Sequence, residues 1–195
     1  MTIVNILFAS LLSNLIFSRA LGISTILIAS KNKTNLISLS FVITFFTTVG
    51  SMLAYFADKI IIKNNIELMF QPMIYIIIIS IIYISSLLLL RAISENLFGK
   101  LKKYIHISAF NCIVLGALMI TSNLSKVNSS TELLFSDYVM MGFKLGIGFL
   151  VASYILKIAH VKLDSEEVPK SFRGYPILMI YIGIISMALY GVSVL

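Results

Sequence analysis

Eight stretches of this chain carry no Asp, Glu, Lys or Arg: Met1–Ser18, Ala20–Ser30, Thr34–Ala57, Leu68–Leu90, Tyr104–Ser125, Tyr138–Phe143, Leu145–Leu156 and Gly174–Leu195. A charge at the centre of a bilayer is costly, and a membrane-spanning helix needs about 20 apolar residues. Arg19 alone divides the first two stretches, and Lys144 alone divides Tyr138–Phe143 from Leu145–Leu156. Joining each pair across its single charge leaves six spans, centred near residues 16, 46, 79, 113, 147 and 185. Lipid offers the backbone no hydrogen bonds, so spans are helices or the strands of a closed barrel. Barrel strands alternate apolar and polar, whereas Ile76–Ile79 and Leu87–Leu90 are apolar on every face. The expected fold is therefore an all-α membrane protein of six transmembrane helices.

Composition supports this and narrows the function. The chain is 59% hydrophobic and 12% charged, where soluble domains hold about 45–50% apolar and 25% charged residues. A soluble enzyme and a disordered chain are excluded, and the lipid bilayer is the expected solvent. One cysteine permits no intramolecular disulfide. The first 18 residues lack a basic n-region, and their apolar run is too long for a cleavable signal, so they read as the first span.

Lys and Arg collect in cytoplasmic loops. The loops after spans 1, 3 and 5 hold Lys31, Lys33, Arg91, Lys100, Lys102, Lys103, Lys157, Lys162, Lys170 and Arg173; those after spans 2 and 4 hold Lys59, Lys63 and Lys126. Both termini are expected outside. The net charge of +7 is mostly this asymmetry, so topology and not nucleic-acid binding explains it.

The chain reads as one integral membrane domain over residues 1–195, of two halves, about 1–97 and 98–195. Three spans per half set the second half upside down relative to the first, as in inverted repeats, whose sites lie near the midplane where helices break. Span 1 contains Leu21-Gly22-Ile23-Ser24 and span 4 contains Cys112-Ile113-Val114-Leu115-Gly116. Ser18–Thr25 and Ser108–Cys112 also place small and polar residues at mid-span. Such residues mark either close helix packing or broken helices around a buried site.

At these residues the chain resembles the paired six-helix membrane subunits of the Rnf and Nqr ion-translocating electron-transport complexes. Of the two sister types, the chain more nearly resembles the A-type subunit of Rnf, equivalent to the E-type subunit of Nqr. Asn14–Ile23 resembles the family stretch Asn-x-x-x-x-(Lys/Arg)-x-Leu-Gly-(Leu/Ile), and Ser30-Lys31 follows it. Asn111–Gly116 resembles Asn-Cys-Ala-Val-Leu-Gly, Val168–Gly174 resembles Val-Pro-x-x-Phe-Arg-Gly, and Asp58 falls where this type often has Asp. The A/E type has its N-terminus outside, in agreement with the loop count.

The resemblance implies two inverted three-helix repeats with helices 1 and 4 broken, in a bacterial cell membrane, paired with a sister six-helix subunit within a larger complex of further subunits. It implies two cysteines per subunit, one per repeat. Four thiolates from the pair hold a two-iron two-sulfur cluster, through which electrons cross the bilayer, coupled to movement of sodium ions or protons. Thiolates are soft ligands suited to iron, and bound iron compensates their buried charge. The chain would then be a component of an electron-transfer complex and not a complete enzyme by itself. Cys112 would ligate iron, with Gly22, Asn111 and Gly116 shaping the turns around it. The flavin-attachment threonine sequence of other subunits is absent, so covalent flavin is not expected.

The chain departs from the family at the first cysteine. Leu-Gly-Leu-Cys-Pro is here Leu21-Gly22-Ile23-Ser24-Thr25, so Ser24 occupies the vacant cysteine position. The acidic residue that the family carries within span 3 is missing from Leu68–Leu90. One thiolate cannot hold the cluster. Either a sister subunit supplies three ligands, or Ser24 serves as an oxygen ligand or His106 as a nitrogen ligand, or the cluster is lost and a structural or transport subunit remains. The transport reading calls for a solute-sized cavity between the halves.

Other residues have simpler expectations. Arg19 and Lys144 interrupt spans; Arg19 can snorkel or meet a helix C-terminal end, and Lys144 stands two helical turns from Asp137. Asp58 and Glu67 flank an outer loop. Tyr55, Tyr75, Tyr104, Tyr138 and Tyr175 lie near span ends, as membrane-interface anchors do. Gly142 and Gly146, with Gly148, form a small-residue contact stripe.

Overall fold

A computed structural model of the protein describes residues 15–30, 33–63, 68–93, 95–127, 134–163 and 168–194. Their elements are α1 (Leu15–Arg19), α2 (Ile23–Ser30), α3 (Lys33–Lys63), a single 3₁₀ turn (Leu68–Phe70), α4 (Gln71–Ile93), α5 (Glu95–Ala109), α6 (Cys112–Val127), α7 (Phe135–Leu163) and α8 (Tyr175–Val194). The described residues are helical with intervening turns, as lipid-solvated backbone requires. The expected spans 2, 3 and 5 appear as Leu36–Ile61, Gln71–Ala92 and Phe135–Leu163, each long and apolar enough to cross a membrane. Span 4 is a pair, Leu101–Ala109 and Cys112–Leu124, bent by 48°. Tyr175–Gly191 is a shorter apolar helix at the position of span 6. The N-terminal part of span 1 falls outside the described residues, as does Glu67.

Helices α3 and α7 form the central pair, with the most extensive contact of any two elements. Small residues make this approach possible. A Cβ on Gly142 would stand 2.7 Å from the Thr47 carbonyl oxygen, and one on Gly146 would stand 2.7 Å from Thr44 Cα. The glycine stripe is thus a backbone-to-backbone contact. Ser40 and Ser153 hydrogen-bond across the same seam at 3.3 Å.

Apolar packing lies on both sides of α3. On one side Leu39 and Ile43 meet Ile16, Ile26, Ile113 and Phe149. On the other, Val42 and Phe46 meet Tyr75, Ile79, Ile105 and Leu118. Large apolar side chains also point outward, among them Phe41 and Phe56 on α3 and Ile77 and Leu88 on α4. An outward apolar surface of this extent is what a bilayer solvates.

Two of the five tyrosines expected at the membrane interface are elsewhere. Tyr75 and Tyr138 are 0% and 2% exposed. Their hydroxyls turn inward to the carboxylate of Asp58, which is itself buried. A tyrosine has an apolar body and a polar tip, so a span end can send it to either place. Here a buried carboxylate supplies the partner. Asp137 does not wait for Lys144: its carboxylate accepts the Leu134 amide at 3.1 Å and caps α7. Lys144 is exposed, and exposed Arg19 closes the last turn of α1, where a cation suits the helix dipole.

Candidate functional site

The two breaks expected from sequence are both present. Ala20 and Gly22 have φ of 55° and 80° between α1 and α2. Phe110 and Asn111 separate α5 from α6. A left-handed φ costs an L-residue about 1–2 kcal/mol and costs glycine little, which explains glycine at the second position.

The breaks face one another across 90 residues of sequence. The Gly22 amide donates a hydrogen bond to Cys112 Sγ at 3.2 Å. Asn111 ties the two together. Its Nδ2 donates to Thr25 Oγ1 at 2.8 Å, and its Oδ1 accepts the Ile113 amide at 3.2 Å. The second bond is a helix N-cap for α6. Asn111 and Thr25 are both buried, so each satisfies a polar group that lipid would leave stranded.

The glycines interlock with the opposite break. A Cβ on Gly22 would come within 1.9 Å of Ile113 Cδ1, and a Cβ on Gly116 within 2.6 Å of Leu21 Cδ1. Freed carbonyls find partners too. Ser186 on α8 donates to the Phe17 carbonyl at 2.6 Å, and the Gly22 carbonyl accepts the Thr25 and Ile26 amides.

Gly22, Asn111, Cys112 and Gly116 therefore belong to one constellation, and small polar residues at mid-span here mark broken helices. Thr25 is a member that sequence reasoning did not single out, although it follows the vacant cysteine position directly. Ser24 is at the start of α2 with its side chain exposed, and the Cys112 thiol is exposed as well. His106 stands apart on α5, its Nδ1 2.6 Å from Tyr83 Oη, with the two rings in contact.

This arrangement can hold a sulfur against a backbone amide at the first residue of a helix, where N–H groups and the helix dipole favour negative charge. Among the described residues no three of His, Cys, Asp or Glu come together as a metal site. The donor set fits one corner of an iron–sulfur cluster and not the whole. The thiol faces outward, so the remaining ligands would have to come from another chain.

A cavity of about 290 Å³ lies among α3, α4 and α5, lined by Phe41, Phe45, Phe46, Leu89, Leu90 and Ile105 among others. Its lining is apolar apart from Ser86 and does not touch the breaks.

Apolar spanning helices, one of them broken, and a second break stitched to it define a polytopic membrane protein built around an internal helix-break site. Comparison with known proteins identifies which kind. Residues 3–195 match the family of Rnf-Nqr subunits, described as membrane proteins, and the chain belongs to that family. It is 26% identical over 186 residues to the A-type subunit of the ion-translocating oxidoreductase complex of Actinobacillus pleuropneumoniae serotype 5b, covering 95% of this chain and 93% of the relative. It is 27% identical over 193 residues to the protein of the same name from Pectobacterium carotovorum, covering 98% and 96%. It is 25% identical over 194 residues to the A-type subunit of the Na(+)-translocating ferredoxin:NAD(+) oxidoreductase complex of Acetobacterium woodii, covering 99% and 97%.

Proposed function

We propose that the chain is the A-type membrane subunit of a bacterial ion-translocating oxidoreductase complex and that its facing helix breaks serve an electron relay across the bilayer. The observation that carries the relay is the exposed Cys112 thiol, held by the Gly22 amide where the two breaks meet. The family match over residues 3–195 and the names of its relatives support membership of such a complex. The apolar core of a bilayer is about 30 Å thick, so a group at mid-span divides one long electron transfer into shorter ones.

Six spans in two inverted halves, 1–97 and 98–195, are part of the same reading, with both termini outside. The pattern of helix contacts supports it. Each half offers a broken helix, a central helix and an outer helix. The central α3 of the first half packs on the broken pair α5–α6 of the second, and the central α7 of the second packs on the broken pair α1–α2 of the first. The expected sister subunit would meet the face that carries Cys112.

The chain's own residues do three things here. Gly22 presents its amide to the sulfur, Asn111 fixes the start of α6 on which the sulfur sits, and Gly116 lets Leu21 pack beneath the turn. Bound there through Cys112 and partner thiolates, a two-iron two-sulfur cluster would supply one-electron transfer within the membrane.

A second reading is favoured by Ser24, which stands where the family has its first cysteine. In it the chain keeps the fold and its partners but no cluster, and has a structural or transport role. The test is iron and acid-labile sulfide content, with electron paramagnetic resonance of the reduced, anaerobically purified complex. Iron that Cys112→Ala removes without disassembling the complex supports the relay. An intact complex without iron rules the relay out and leaves the cluster-free reading.

A further inference from the structure

The second polar centre of the molecule lies away from the helix breaks. Asp58 on α3 is 3% exposed. It is five residues before Lys63, the last residue of α3, which puts it about 7.5 Å below that helix end at 1.5 Å per residue. Tyr75 Oη approaches Asp58 Oδ1 at 2.5 Å, and Tyr138 Oη approaches Oδ2 at 2.8 Å. Gln71 Nε2 donates to Tyr75 Oη at 2.6 Å and to Ser122 Oγ at 2.5 Å. All five side chains are buried, and they come from α3, α4, α6 and α7. Among the described residues the hydrogen-bond partners of the carboxylate are these two phenols, and neither is a cation.

The network has one place for an exchangeable proton. Tyr75 Oη accepts from Gln71, so its own hydrogen goes to Asp58 Oδ1. Oδ2 and Tyr138 Oη can share their bond in two ways. With Asp58 ionised, the phenol donates to the carboxylate. With Asp58 protonated on Oδ2, the new O–H donates to the phenol oxygen, and Tyr138 keeps its own hydrogen, turned out of the bond. Both states leave the carboxyl group hydrogen-bonded, which is what a buried group must satisfy in either form. The oxygen–oxygen distances are those of direct hydrogen bonds, with no room for a metal ion between the partners.

We propose that Asp58 is an intramembrane proton-binding group, loaded and unloaded from the end of the bundle where α3 and α6 finish and α4 and α7 begin. An ionisable residue inside the membrane is a functional-site hypothesis by default because of what it costs to keep there. Two phenol donors offset part of that cost, and the proton offsets the rest. Among the described residues, the titratable and charged groups on the elements packed there are Tyr55 and Lys59 on α3, Tyr75 on α4, and Asp137 and Tyr138 on α7, with Ser122 joining from α6. Tyr55 packs edge-on against Tyr138 at 5.3 Å, and Lys59 Nζ lies 4.7 Å above the Tyr55 ring, so these two cover the approach. The site does not depend on whether Cys112 holds iron.

The test is chemical labelling of the assembled complex in membrane vesicles with dicyclohexylcarbodiimide, which reacts with protonated carboxyl groups in apolar surroundings, followed by mass spectrometry of the peptide carrying Asp58. Labelling of Asp58 is expected. Sodium ions at constant pH and ionic strength should leave the rate unchanged. Tyr138→Phe should change the labelling rate, because the carboxyl group loses one of its two hydrogen-bond partners. Asp58→Asn should abolish the label and identifies it. Failure to label Asp58 in the intact complex at any pH overturns the proposal. So does protection by sodium, which would make the site a sodium site, or a Tyr138→Phe labelling rate that does not change.

Discussion

Asn111→Ala isolates what holds the two helix breaks together. The substitution removes the cap on the Ile113 amide, a loss of about 1 kcal/mol. It also strips the buried Thr25 hydroxyl of its donor, and a buried polar group left unpaired costs about 1–3 kcal/mol. The two bonds, at 3.2 Å and 2.8 Å, are independent in geometry, so the losses should sum to about 2–4 kcal/mol. Thr25→Val breaks the second bond from its other end and leaves the cap intact. A double-mutant cycle therefore separates them: Asn111→Ala and Thr25→Val should be coupled by about 1–2 kcal/mol, while the capping loss persists in the Thr25→Val background. Unfolding in mixed micelles with rising sodium dodecyl sulfate, followed by helical circular dichroism, gives the four stabilities. A coupling below about 0.5 kcal/mol would refute the claim that Asn111 stitches the breaks.

Gly146→Val forces a side chain onto the Thr44 backbone; overpacking of this kind costs about 1–3 kcal/mol, and the same unfolding titration should show the loss, with Gly183→Val as a control because open space surrounds Gly183. Gly22→Ala should lose about 1–2 kcal/mol from its positive φ and more from Ile113; adding Ile113→Ala should relieve only the steric part, and full recovery would disprove the backbone contribution. Ser186→Ala leaves the Phe17 carbonyl without its donor, and hydrogen exchange at α1 should quicken by an amount corresponding to about 1–3 kcal/mol; unchanged exchange would refute the role assigned to that bond.

The centres of spans 2, 3 and 5 and of the bent pair were legible because charge is excluded from lipid more strictly than any residue type is favoured there. Gly22 and Asn111 were legible as places of close packing or of helix breaks, because small and polar residues at mid-span have few other uses. The α3–α7 seam was readable from the spacing of Gly142 and Gly146. The Asp58 network was not, because its members come from four helices and no local spacing connects them, apart from Gln71 and Tyr75 one turn apart. Tyrosine at a span end looks the same whether it faces headgroups or a carboxylate. The signal that was available is Asp58 itself, a carboxylate directly at the end of the uncharged run Thr34–Ala57. Thr25 was passed over for a similar reason: its partner is 86 positions away.

The hydrogen bonds between Gly22 and Cys112 and between Thr25 and Asn111 also bear on biogenesis. A chain enters the membrane from its N-terminus as it is synthesised, at about 5–20 residues per second. Roughly 90 residues separate the two sides of the stitch, so at that pace the first break waits several seconds for its partners. During that interval the Gly22 amide and the Thr25 hydroxyl have no Cys112 or Asn111 to meet, in a solvent that offers no substitutes. The first half should therefore linger at the insertion machinery, where water or protein groups can shelter it. Its release into lipid becomes a checkpoint set by the arrival of the second half.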